Sequence, residues 1–77
     1  MKSTAKQNAN TRRVLKIYRT LLTEYNEARS RTMTPDEVHD GIVDLLADIR
    51  HYCDSEGFDL GKLDRIAHDH YLAELTS

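Results

Sequence analysis

Between Thr34 and Leu60 the chain reads TPDEVHDGIVDLLADIRHYCDSEGFDL, and this stretch holds the start, the apolar face and the stop of a single helix. Thr34 offers a hydroxyl to the unpaired amides of a first turn. Pro35 fits the first helical position, where no N–H is needed, and Glu37 completes a capping box. Val38, Ile42, Leu45, Ile49 and then Tyr52 or Cys53 recur at three- and four-residue steps, the spacing of one face at a period of 3.6. Gly57 closes the run, because glycine enters the left-handed conformation without a Cβ penalty. Gly41 is the discordant residue, costing about 1 kcal/mol against alanine inside a helix.

The flanks repeat the helical period. Val14, Tyr18, Leu21, Tyr25 and Ala28 follow a 4-3-4-3 spacing, and Leu60, Leu63, Ile66, Ala67, His70 and Tyr71 form a third stripe after Asp59, a capping residue. Helices are therefore expected at about 11–29, 35–55 and 60–75, and the polar, aperiodic residues 1–10 are expected to form a flexible arm. The short link at Ser30–Met33 favours an antiparallel hairpin of the first two helices. The expected fold is all-α, a three-helix up-down-up bundle in one domain spanning 11–77. A chain of 77 residues buries a small core, so a homodimer is expected to complete its apolar faces.

Charge is divided along the chain. Residues 1–31 carry a balance of +6 and residues 32–77 a balance of −8, which nearly cancel to the overall −2. Basic and acidic helices facing each other, within the chain or across a dimer, account for this; nucleic acid at the basic end is the alternative. Cys53 is the only cysteine, so no intramolecular disulfide or Cys-based zinc set is available within a chain, and a reducing cytoplasmic setting is the simplest expectation. No apolar run approaches the length of a membrane span.

Most catalytic devices are missing. His68 and His70 stand two apart and point to different sides of a helix, no His-Glu-x-x-His occurs, and Gly41, Gly57 and Gly61 are too scattered for a phosphate loop. The carboxylates are better placed. Glu24 and Glu27 stand three apart on the first helix, and Asp40, Asp44 and Asp48 descend the second in steps of four. Packed antiparallel, the two helices would bring these acids together as oxygen ligands for magnesium.

Asp44-Leu-Leu-Ala-Asp-Ile-Arg-His-Tyr-Cys-Asp-Ser-Glu-Gly-Phe-Asp59, leading into a last helix, resembles the later half of MazG-like nucleotide pyrophosphohydrolases, and Glu24-Tyr-Asn-Glu27 resembles the Glu-x-x-Glu of that family's preceding helix. The resemblance implies a magnesium-dependent pyrophosphohydrolase with Glu24, Glu27, Asp40 and Asp44 at the metal. Gly41 departs from it, standing where the family carries a glutamate, which Glu37 or a neighbouring subunit would have to replace. The chain is also similar to short helical proteins encoded by phages and plasmids, which implies a mobile-element accessory role.

Three readings result. The first is a non-catalytic helical protein–protein interaction module without a cofactor, binding a copy of itself or another protein through the stripe of Val14, Tyr18, Leu21, Tyr25, Val38, Ile42, Leu45 and Ile49. The second is the magnesium enzyme. The third is nucleic-acid binding through Lys6, Arg12, Arg13, Lys16 and Arg19.

Overall fold

A computed structural model of the chain describes residues 5–26 and 31–76. It is all-α, with α1 at Ala5–Glu24, α2 at Pro35–Glu56 and α3 at Leu60–Thr76, and no strand among the described residues. No helix among them is long and apolar enough to cross a membrane.

α2 forms where its end signals place it. Thr34 is extended, with φ −71° and ψ 161°. Its hydroxyl accepts from the Glu37 amide at 3.2 Å, while its own amide donates to Glu37 Oε1 at 2.8 Å, so two otherwise orphaned amides satisfy each other's side chains. At the other end Gly57 takes φ 74° and ψ 25°. The Phe58 amide donates to the Cys53 carbonyl at 2.9 Å and the Gly57 amide to the Asp54 carbonyl at 3.3 Å, the paired bonds of a Schellman cap. Two residues later Asp59 starts α3, its carboxylate accepting from the Lys62 amide at 3.2 Å.

α1 differs from its expected limits at both ends. It starts at Ala5, so Ala5–Asn10, expected as an arm, are helical. The segment lacks an apolar stripe, yet it contains neither glycine nor proline and four of its six residues are good helix formers, so nothing local opposes the helix. The expected cap at Asn10 or Thr11 therefore falls inside α1, where the Asn10 side chain accepts from Arg13 instead. The helix closes at Glu24, short of the expected Arg29; residues 27–30 lie outside the described residues. Thr20 and Thr23 donate back to the Lys16 and Arg19 carbonyls at 2.9 and 2.8 Å, and such bonds loosen a helix near its end.

The helices touch at separate places. Leu21 of α1, 2% exposed, seats on the buried Gly41 of α2. A Cβ on Gly41 would lie 3.2 Å from Leu21 Cδ2 and 3.5 Å from Tyr25 Cβ, so the missing side chain is what lets α1 approach. α3 is tied to α1 by the ion pair of Arg13 with Glu74 at 3.5 Å and to α2 by the Gly57 turn. The resulting body is flat, 39 × 35 × 17 Å, with a Cα radius of gyration of 14.9 Å. A compact chain of this length would have a radius of about 11.5 Å.

Candidate interaction surface

The apolar stripes fall on the faces their spacing assigns, but the single chain buries little of them. Among the described residues only Leu21 and Cys53 are buried apolar side chains, at 2% and 5% exposure. Of the eight stripe residues, Leu21 is buried, Tyr25, Val38 and Leu45 are half-buried, and Val14, Tyr18, Ile42 and Ile49 are exposed. Val14, at 68%, is the extreme. Within the single chain this stripe is covered at the α1–α2 crossing and uncovered away from it. The physical reason is the open arrangement: a helix that touches its neighbour at a single crossing covers only the residues at that crossing.

An uncovered apolar surface runs from α2 to α3. Leu46, Ile49 and Leu60 line a hollow between the two helices together with Arg50, Gly61 and Asp64. Ile42, Tyr52, Leu63 and Ile66 on these helices and Phe58 in the turn between them are also exposed. Sequence periodicity identifies these side chains as apolar faces; it carries no sign of which of them a neighbouring helix reaches.

The acidic residues take a different place. Tyr25, which follows α1, donates its hydroxyl to Asp48 Oδ2 at 2.7 Å. That bond, together with desolvation and the charges of Asp48, Glu24 and Asp44, raises the Tyr25 pKa above the usual tyrosine value of 10.0. Asp48 thus secures the crossing, a role its place in the i,i+4 ladder does not reveal. Glu24, Asp40 and Asp44 are exposed, Glu27 lies outside the described residues, and among the described residues no three His, Cys, Asp or Glu side chains are grouped so as to hold a metal ion. Gly41, where the MazG-like resemblance would call for a glutamate, is occupied by the packing of Leu21 and Tyr25. A longer side chain there would enter the crossing.

The basic residues of α1 lie away from both sites. Arg12, Lys16 and Arg19 share one exposed face with Leu15 and Thr20. Among the described residues the inter-helix ion pair is Arg13 with Glu74, which leaves the expected facing of basic and acidic helices confined within this chain to that pair. Lys6 lies on α1, a full turn and more before them.

Comparison of the chain with protein-family models, with curated proteins and with solved structures finds no match.

Proposed function

We propose that the chain is a non-catalytic helical interaction module, working by docking its uncovered apolar faces against another protein chain. One observation carries the reading: fifteen large apolar side chains among the described residues remain more than a third exposed, although the helix at the centre of the chain, α2, is capped at both ends. Scattered apolar residues are ordinary on a protein surface, but continuous helical stripes of them mark a place where a partner sits. The local structure is defined and the covering is missing, which is how a binding element differs from a disordered segment. The single thiol, Cys53, is buried and fits a reducing cytoplasmic setting, and a mobile-element accessory role is the setting in which such a module would work.

Light scattering at micromolar concentration, combined with the fluorescence of a dye that reports apolar surface, tests this reading. Association, or dye binding by a helical monomer, supports it. A cooperatively folded monomer that binds no dye overturns it.

A second reading has its own observation, the face of Arg12, Lys16 and Arg19 with no carboxylate partner among the described residues. Such a face suits a phosphate backbone. Binding to duplex DNA would weaken with salt at a slope of about −0.9 per phosphate contacted, or roughly −3 for three contacts. Mobility-shift assays at two salt concentrations check it, and no shift at the lower salt removes it.

A further inference from the structure

We infer that the occupant of the uncovered α2–α3 face is a second copy of this chain, stacked on the first around the hollow lined by Leu46, Ile49 and Leu60. The inference rests on the interaction-module reading and names its partner. Three observations point to a copy rather than to an unrelated protein.

The first is openness. The Cα radius of gyration is 14.9 Å, against about 11.5 Å for a compact chain of this length, whereas stable domains bury their apolar faces between packed layers. A second copy supplies the missing cover from the same sequence. The second is area. The accessible surface is 6692 Å² for 8.9 kDa. A compact monomer of this mass exposes about 4,800 Å², leaving an excess of roughly 1,900 Å² per chain. Standard interfaces bury about 800 Å² per partner and obligate homodimers about 1,000–2,500 Å² per partner, so the excess falls in the obligate homodimer class. A copy that removed it would bring both chains to ordinary burial together.

The third is the lining of the hollow, where Arg50 of α2 and Asp64 of α3 stand with Leu46, Ile49 and Leu60. Under a two-fold axis each residue of the patch meets the corresponding patch of the other chain in reversed order. An Arg50 and an Asp64 on each chain then give the interface opposite charges that can face each other beside its apolar residues. A patch with one sign of charge would repel its own copy.

The experiment is sedimentation equilibrium of the full chain from nanomolar to tens of micromolar, with Leu46→Glu and Val43→Glu as variants. Leu46 and Val43 are exposed to the same degree, but only Leu46 lines the hollow. Expected are a wild-type dimer at micromolar concentration, a dissociation constant raised about thirty-fold or more by L46E at the interface centre, and only a few-fold change for V43E. A melting temperature of the wild type that rises with its concentration supports the same conclusion without any variant. A dimer unaffected by L46E overturns the assignment of this face. A helical wild-type monomer that binds apolar dye overturns the second copy while leaving the interaction module standing with a different partner; a folded monomer without dye binding removes both.

Discussion

The crossing of α1 on α2 and the groove between α2 and α3 are built from the same residue types, yet one is closed and the other open. At the crossing, Gly41 removes a side chain, Leu21 fills the space, and Tyr25 reaches across to Asp48. In the groove, Leu46 and Ile49 stand at helical spacing from the same apolar stripe and meet no such complement, although α3 starts only a short turn away. The difference shows that apolar periodicity sets which face of a helix seeks cover, while the size of one residue at the crossing sets where cover is obtained. A buried glycine is worth more here than another leucine would be, because it brings two backbones together.

The strongest way to break this comparison is to make the crossing resemble the groove. Gly41→Leu places a branched side chain where even a Cβ comes within 3.2 Å of Leu21 Cδ2. Overpacking of this kind typically costs about 1–3 kcal/mol, and because α1 has few other contacts we expect the upper part of that range, read as a lower urea midpoint. Gly41→Ala is the sharper companion. Its methyl meets the far end of a flexible leucine, and the helix gains about 1 kcal/mol in propensity, so the variant should lie within roughly 1 kcal/mol of wild type. A Gly41→Leu protein as stable as wild type would show that the crossing is not the closed region of the molecule.

The caps give the next largest effects, and they act on α2, which the two regions share. Gly57→Ala forces a residue with a Cβ to φ 74° and should cost roughly 1–2 kcal/mol. Thr34→Ala leaves the Glu37 amide without its side-chain acceptor and should cost about 1 kcal/mol. Both are measured by thermal or urea unfolding followed at 222 nm. Neither touches the hollow or the Leu21 contact, so a loss confined to one of those regions would be unexpected.

These same residues mark how far the fold was legible. Thr34, Pro35, Glu37, Gly57 and Asp59 act through bonds within a few positions of themselves, and α2 and the start of α3 lie within a residue of their expected limits. α1 extends past its expected start because the absence of an apolar stripe in Ala5–Asn10 says nothing against a helix that does not pack. Gly41 carried a visible cost in propensity, but the compensating contact belongs to Leu21, twenty residues away, and distance in sequence hides it. The candidate surface was half legible: its apolar members were identifiable, whereas their exposure depends on how openly the helices pack. Asp48 was read with Asp40 and Asp44 as part of an acidic ladder, and only the hydroxyl of Tyr25 distinguishes it.

That hydroxyl provides the finest test of the closed region. The Tyr25 pKa is raised, chiefly by the bond to Asp48, so folding favours the protonated phenol. The contribution is therefore fully present below the unfolded value of 10.0 and is lost as pH rises through the higher folded value. Replacing Tyr25 by Phe removes the bond without opening the crossing, since the ring remains. The substitution should lower stability slightly at neutral pH and flatten its fall above pH 10. Spectrophotometric titration should show a late tyrosine ionisation in the wild type, and the late step should vanish in the variant. If the late step persists after Tyr25→Phe, the closed region is held by the packing of Leu21 on Gly41 alone, and Asp48 belongs with the solvated acids of α2.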